Sequence, residues 1–140
     1  MFTLHPTLEK DCYQLGKFTL SRLLLMNDAN YPWFILVPEV TDITEIYQLS
    51  ADQQSQLVRE SAALSQVMMR EFAGEKMNIA ALGNIVPQLH IHHVVRYQSD
   101  PAWPDPIWGK VKRISYLENE LDIICQTIIS ALPIHFSVDL

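Results

Sequence analysis

The sequence predicts an α+β fold in which helices pack against one face of an antiparallel sheet. Short apolar runs bounded by turn-forming residues indicate strands, and two longer segments with apolar residues at helical spacing indicate helices. Strand segments precede the first long helix, two further strands follow it, and a second helix comes last. The short connections favour antiparallel pairing, because parallel strands need a long crossover.

Length and composition indicate one globular domain. The chain has 140 residues, 49% of them hydrophobic and 19% charged, with a formal charge of -6. This charge argues against a nucleic-acid partner bound by bulk positive charge, although a nucleotide needs only a local site. Cys12 and Cys125 are far apart, and no secretion signal or membrane-spanning stretch is evident, so we expect free thiols, no membrane partner and a cytoplasmic location.

The first half of the chain contains the clearest strand. Gly16 lies in a mixed segment and indicates a turn or bulge, and residues 20–26 indicate a strand with a buried end. Residues 27–32 form a turn-forming cluster. Residues 33–37 are apolar throughout and are stopped by Pro38, which predicts a central strand buried on both faces.

Two capping motifs predict where the helices begin. Ser-Ala-Asp-Gln at 50–53 opens a helix that runs to about Ala73, with Gly74 as its C-terminal stop. Ser-Tyr-Leu-Glu at 115–118 opens a second helix, which Pro133 ends. The predicted apolar stripes are Leu57, Leu64, Val67, Met68 and Phe72 in the first helix, and Leu117, Leu121, Ile124, Ile128 and Leu132 in the second.

Three of the five histidines lie within four positions, at His90, His92 and His93. If residues 88–95 form a strand, Gln88, His90 and His92 share one face, and His93 lies among apolar residues on the other. The periodicity fits either a chemical site or two polar residues on a solvated strand. For His93 we expect a hydrogen-bonded histidine facing the core. A zinc site at His90 and His92 is a minor alternative, because no familiar metal-binding motif accompanies them.

The stretch from Gly83 to Arg96 reads Gly-Asn-Ile-Val-Pro-Gln-Leu-His-Ile-His-His-Val-Val-Arg. It resembles the signature of the histidine-triad (HIT) superfamily of nucleotide hydrolases and transferases, His-φ-His-φ-His-φ-φ after a Gly-Gln-(Ser/Thr)-Val-x lead-in, where φ is apolar. Gln88, His90 and His92 fall on the three triad positions. The run Gln-Leu-His-x-His-His, together with residues 96–104, is similar to a bacterial branch of small HIT-like proteins.

The resemblance implies a five-stranded antiparallel meander with one main helix, usually as a homodimer. The whole chain, residues 1–140, is then a single HIT-like domain, with a core over 1–112 and a C-terminal helical extension over 113–140. The implied partner is a nucleotide or dinucleotide, with no cofactor and no metal. An incidental histidine strand in a purely structural dimer is the alternative from a different class.

The resemblance also implies catalytic roles for Gln88, His90 and His92. His90 takes the position of the nucleophile that attacks the α-phosphate and becomes a nucleotidyl-histidine. The backbone carbonyl of Gln88 holds the other ring nitrogen of His90, a role that survives the replacement of histidine by glutamine. His92 donates to the non-bridging phosphate oxygens.

Four polar residues are implied or possible nucleotide contacts. Asn27 and Asp28 match the position that receives the ribose hydroxyls, although an Asx turn explains them equally well. Asn84 replaces the lead-in glutamine and keeps an amide that can bind phosphate or ribose. Arg96 fits either a phosphate contact or a charge at the end of a strand.

The remaining residues either have two possible roles or depart from the family pattern. Trp103 and Trp108 fit either a wall of the nucleotide site or an anchor for a proline-rich tail. Ile85 stands where the hydrolases carry Ser or Thr, and with Gln88 it favours weak turnover. A nucleotide-binding module with little or no turnover is therefore the alternative to the enzyme.

Overall fold

The α+β class predicted from the sequence is confirmed. The computed structural model describes residues 1–133 and 135–140, which form one five-stranded antiparallel sheet and three α-helices. None of the helices in these ranges is long and apolar enough to cross a membrane. In chain order the elements are α1 Pro6–Asp11, β1 Cys12–Lys17, β2 Ser21–Met26, β3 Trp33–Pro38, a 3₁₀ turn Ile46–Gln48, α2 Ala51–Glu71, β4 Lys76–Ala81, β5 Ile91–Arg96 and α3 Glu118–Ala131.

The strand order is β1-β2-β3-β5-β4, with every neighbouring pair antiparallel. The five antiparallel strands are as expected, but the last two differ from a simple meander. The chain leaves β3, forms α2, enters the sheet at its edge as β4 and returns as β5 beside the central strand. The strand that carries the histidines is therefore an interior strand, flanked by β3 and β4.

The pleat of the sheet separates two apolar layers. The face that includes Phe34 and Val95 packs against α2 and α3. The opposite face, which includes Ile35 and Val94, is covered by the N-terminal segment and by residues around Ile107. All six residues of β3 are buried, as predicted for the apolar run 33–37.

Residues at the bulge and the main helix behave mostly as predicted. Gly16 lies where the β1–β2 register shifts, which confirms a bulge. Ser50 caps α2 by accepting the N–H of Gln53, 3.2 Å away, so the capping box is confirmed. The predicted stop at Gly74 is displaced by one residue, because Ala73 adopts the left-handed conformation with φ 48°.

The second helix begins later than predicted. The capping box at 115–118 is wrong, because α3 starts at Glu118 and the N-cap position is Leu117. The Glu120 carboxylate accepts the Leu117 N–H at 3.0 Å, which is the second half of a capping box shifted by two residues. Leu117 itself is exposed and lies outside the apolar stripe, whereas Ile128 is fully buried at its centre.

One buried carboxylate fastens α2 to the turn between β1 and β2. Glu60 accepts the backbone N–H groups of Leu20 at 2.8 Å and Ser21 at 3.0 Å, and the side-chain amide of Gln56 at 2.8 Å. Because Glu60 is almost fully buried, loss of its carboxylate would leave two backbone donors without partners.

We therefore expect Glu60→Ala to lower the free energy of unfolding by roughly 3 kcal/mol, measured by urea denaturation. The matched control is Glu71→Ala in the same helix. Glu71 pairs with Arg70 on the surface, so its loss costs less than about 1 kcal/mol. Equal losses in the two variants would contradict the anchoring role of Glu60.

Candidate active site

His90 is held by the backbone next to it. The predicted strand 88–95 is too long at its start, because β5 begins at Ile91 and both Gln88 and His90 lie in the preceding connection. His90 Nδ1 lies 2.7 Å from the carbonyl oxygen of Gln88 and donates to it, which leaves the lone pair on Nε2. Burial lowers the pKa of His90, partly opposed by this hydrogen bond, so the ring is neutral at pH 7.

His92 has the opposite tautomer. The indole Nε1–H of Trp33 donates to His92 Nδ1 at 2.9 Å, so the proton of the neutral ring lies on Nε2. Burial lowers the pKa of His92 to about 3, and the neighbouring His90 and His93 add to this effect. The two rings, with centroids 4.9 Å apart, therefore present one Nε2 acceptor and one Nε2–H donor.

Two tryptophans pack around the His92 ring. Its centroid lies 5.6 Å from that of Trp33 and 5.2 Å from that of Trp108, and the two indoles meet edge to face at 6.0 Å. This packing fixes the orientation of His92 and accounts for much of its burial.

A cavity of about 280 Å³ opens in front of the two histidines. It is lined by Leu82, Gly83, Asn84, Ile85, Val86, His90, His92 and Trp108. Asn84 is therefore part of the wall of the same cavity as His90. Ile85 is 87% exposed at the rim, where it presents an apolar side chain instead of a hydroxyl. Apart from the two imidazoles, this lining has no ionisable side chain.

The side-chain oxygens of Asn27 and Asp28 already accept hydrogen bonds within the protein. Asn27 Oδ1 accepts the backbone N–H of Tyr116 at 2.9 Å. Asp28 Oδ1 accepts both the backbone and side-chain N–H groups of Asn30, at 3.0 Å and 2.7 Å, in an Asx turn. The structure thus shows the turn-capping alternative, and contact with a ribose would require these oxygens to exchange partners.

Arg96 does not face the cavity, and its expected phosphate contact finds no support. Its guanidinium donates to both carboxylate oxygens of Asp100, at 2.8 Å and 3.0 Å, and to Asn78 Oδ1 at 2.7 Å. Its side chain is only 1% exposed, so it is not a surface charge either. Burial alone would raise the pKa of Asp100, but hydrogen bonds from Arg96 and from the backbone N–H groups of Tyr97 and Ala102, together with the charge of Arg96, lower it to about 2.

Of the two tryptophans in the proline-containing segment, Trp108 lines the cavity and Trp103 does not. Trp103 lies beside the guanidinium of Arg96, with its ring centroid 5.6 Å from Cζ, and is not part of the cavity lining. It anchors the proline-containing segment, which was the alternative to nucleotide binding. Trp108 lines the cavity, which is one of the two roles that the sequence allowed for it.

His93 is confirmed as a core histidine. Its Nδ1 lies 3.0 Å from the Ile91 carbonyl, and its Nε2 lies 2.7 Å from Ser61 Oγ on α2. Burial lowers the pKa of His93 to about 4. Across residues 1–133 and 135–140, no group of three His, Cys, Asp or Glu side chains is arranged to hold a metal ion.

Two residues near the site were not identified from the sequence. Trp33 was assigned only to a buried strand, although β3 pairs with β5 so that Trp33 faces Val94, two residues from His92. His5, from the far end of the chain, donates its backbone N–H to the Gln88 side chain at 2.9 Å, and nothing local in the sequence indicates this. The pairing of strands was the only signal that could have identified Trp33.

Fold and site together define a class of small α+β proteins in which one imidazole on an interior strand and another just before that strand lie beside a cleft. The family model described as HIT domain matches residues 7–99. A histidine triad protein from Marinobacter aquaeolei VT8 is 52% identical over 94% of this chain and 96% of its own, with a TM-score of 0.92. The chain belongs to the HIT domain family.

Two further solved structures support the same placement. A histidine triad protein from Bradyrhizobium japonicum is 38% identical, covers 94% of this chain and 98% of its own, and has a TM-score of 0.93. One from Sinorhizobium meliloti 1021 is 39% identical with the same coverage and a TM-score of 0.92. Comparison with curated proteins gives no match.

The lowered pKa values of His92 and His93 predict a loss of stability in acid. The unfolded chain takes up protons near pH 6.5, whereas these folded rings stay neutral down to about 3 and 4, so stability falls as pH drops below 6.5. At pH 5 the loss is about 2 kcal/mol for each histidine.

Urea denaturation of the wild type and of His93→Gln at about pH 8 and pH 5 measures this effect. The variant should lose less stability between the two pH values, whatever its stability at pH 8. His135→Gln, at an exposed histidine, is the control and should keep the wild-type pH dependence. A wild-type stability that does not change over this range would contradict the neutral, buried rings.

Proposed function

We propose that the chain is a cytoplasmic nucleotide hydrolase or nucleotidyl transferase that cleaves a phosphoanhydride or phosphoramidate at the α-phosphate. The observation that carries the proposal is the 2.7 Å contact between His90 Nδ1 and the Gln88 carbonyl. It gives His90 the tautomer of a nucleophile, and the lowered pKa of His90 keeps that lone pair unprotonated.

The proposed reaction has two displacements at phosphorus. The His90 Nε2 lone pair attacks the α-phosphorus, a P–N bond forms, and the bond to the leaving oxygen or nitrogen breaks. The leaving group keeps the electron pair and takes a proton from solvent. Water or another acceptor then attacks the phosphorus and loses a proton, the P–N bond breaks, and its electron pair returns to Nε2. The product is the nucleoside monophosphate when water attacks and the nucleotidylated acceptor otherwise.

His92 supports this step as a hydrogen-bond donor. Trp33 fixes its Nε2–H tautomer, and that N–H contributes to binding of the non-bridging oxygens as charge moves onto them. Gln88 contributes through its backbone carbonyl, and Asn84 provides an amide at the same cavity.

A binding module with little or no turnover remains the second candidate because two specific features favour it. Ile85 brings no hydroxyl to the cavity rim, and the side-chain oxygens of Asn27 and Asp28 are already engaged. Such a module would bind nucleotide at His90 and His92 without forming the covalent adduct.

Intact-protein mass spectrometry after mixing with an adenosine phosphoramidate, and separately with diadenosine polyphosphates, tests the proposal. We expect a mass gain of one adenylyl group, or released AMP in the same tube if breakdown is fast. His90→Ala should abolish both, because it removes the nucleophile. His135→Ala should leave both unchanged.

The outcomes separate the two candidates. Thermal stabilisation by these nucleotides with neither adduct nor AMP would favour the binding module. Absence of adduct, product and stabilisation would overturn both readings and leave the purely structural dimer. Adduct formation in His90→Ala would place the nucleophile elsewhere.

We also propose that the protein forms a homodimer through β4 and α2. The outer edge of β1 is bridged to the C-terminal tail through Lys17 and Ser137, whereas β4 is an edge strand without such a bridge in the described residues. Beside β4 lies an apolar groove of about 420 Å³ that includes Val58 at 67% and Ile79 at 52% exposure. A second copy would pair its β4 edge and cover this groove.

Light scattering after size exclusion tests this assembly. We expect the wild type at twice the mass of one chain, and Val58→Glu and Ile79→Glu at the mass of one chain, because a buried charge without a partner disrupts the contact. Ile123→Glu on α3, at 66% exposure, is the matched control and should remain dimeric. A monomeric wild type at tens of micromolar would contradict the proposal.

A further inference from the structure

The side chain of Gln88 pairs with the backbone of the N-terminal segment, residues 3–5. Its Oε1 accepts the backbone N–H of His5 at 2.9 Å, and its Nε2 donates to the backbone carbonyl of Thr3 at 2.9 Å. Leu4, between these two residues, is buried in the apolar layer on that face of the sheet. The carboxamide therefore ties Gln88 to a segment that is itself packed onto the sheet.

The connection that leads into Gln88 has few other polar contacts. Within the described residues 1–133 and 135–140, the backbone of residues 83–88 makes no hydrogen bond to another backbone group. Four of the five residues before Gln88 are exposed, and Pro87 has no backbone N–H to donate. The two carboxamide bonds therefore fix the side of residue 88 that faces this connection.

The other side of Gln88 carries the group that orients His90. Its carbonyl oxygen lies 2.7 Å from His90 Nδ1. That carbonyl and the N–H of Leu89 belong to one planar peptide, and the N–H donates to the Ile43 carbonyl at 2.9 Å. The bond to Ile43 still lets the peptide tilt about the N–H···O direction, so the direction of the carbonyl also depends on where the Cα of Gln88 is held.

We propose that Gln88 is a positioning residue through its side chain. The carboxamide, clamped to residues 3–5, holds the backbone carbonyl of Gln88 in the direction that the Nδ1–H of His90 needs. The N-terminal segment then helps to set the tautomer of the nucleophile. This role rests on the proposed function, because His90 is a nucleophile only in that reaction.

Glutamine suits this role better than histidine would. A carboxamide presents an acceptor and a donor side by side, which match an N–H and a C=O two residues apart on the N-terminal segment. A neutral imidazole has its donor and acceptor on ring nitrogens that point apart, so it could not make both bonds. Glutamine at position 88 therefore supplies a link to the N-terminal segment that an imidazole there would not.

Gln88→Met tests the clamp, because methionine is of similar length, keeps the backbone carbonyl and removes both side-chain hydrogen bonds. Nitrogen-15 chemical shifts of the His90 ring report which nitrogen carries the proton. We expect Nδ1–H alone in the wild type and both tautomers in the variant. At saturating adenosine phosphoramidate the rate of adenylyl-adduct formation should fall roughly tenfold, about 1.4 kcal/mol in the barrier, with KM little changed. Gln98→Met, the same change at an exposed position, is the matched control and should alter neither quantity.

A pair of substitutions at position 5 tests the clamp from its other side. His5→Pro removes the N–H that Gln88 Oε1 accepts, and proline fits the backbone there because His5 has φ -57°. His5→Ala keeps that N–H, and both variants lose the ring that accepts the Thr7 N–H, so their difference isolates the bond to Gln88. We expect His5→Pro to form the adduct roughly fivefold more slowly than His5→Ala. In a Gln88→Met background the two should react at the same rate, because the bond is already absent.

The positioning role and the proposed function can fail separately. An unchanged His90 tautomer in Gln88→Met overturns the positioning role, whether or not the protein is active. Equal rates for His5→Pro and His5→Ala in the wild-type background also overturn it. A wild type with neither adduct nor released AMP overturns the enzyme, and the nitrogen shifts still decide whether the clamp sets the tautomer. If Gln88→Met loses its cooperative thermal transition, the His90 tautomer in His5→Pro against His5→Ala gives the same decision.

Discussion

The hydrogen bond from His90 to the carbonyl of Gln88 depends on where β5 begins. If the strand began at residue 88, that carbonyl would face the ladder and compete with a neighbouring strand. Instead β5 starts at Ile91, and the connection is held by the Leu89 N–H, which donates to the Ile43 carbonyl at 2.9 Å. The carbonyl of Gln88 is therefore free to accept the Nδ1–H of His90. This hydrogen bond orients the His90 ring and leaves the lone pair on Nε2.

The three histidines are neutral for one shared reason, and their hydrogen-bond partners give them different tautomers. Burial is the largest cause of the lowered pKa in all three. The partners then assign the tautomers: carbonyls hold Nδ1–H in His90 and His93, whereas the indole of Trp33 makes Nδ1 of His92 an acceptor. A cavity with no cationic side chain can thus offer a nucleophile and a donor side by side.

The sequence predicted those parts of the site that depend on neighbours along the chain. The alternation of His92 and His93 follows from the period of a strand, and the backbone role of Gln88 followed from the family resemblance and matches the observed contact. Contacts between distant positions were not predicted: Trp33 reaches His92 across 59 positions, and His5 reaches Gln88 across 83. Periodicity carries no information about such pairs, because they depend on strand order and on how the termini fold back.

The departures from the expected nucleotide site share one physical pattern. Gln88 binds the N-terminal segment, Asn27 binds the segment before α3, and Arg96 binds Asp100 at the start of the segment that contains Trp103. Each of these three side chains fastens a stretch of chain outside the regular strands. Two of these stretches cover the sheet face beneath the histidines, so the polar groups that hold them also shape the cavity. Under the proposed function, selectivity would therefore rest mainly on the phosphoryl group in front of His90 and His92, and less on polar contacts to the rest of the nucleotide.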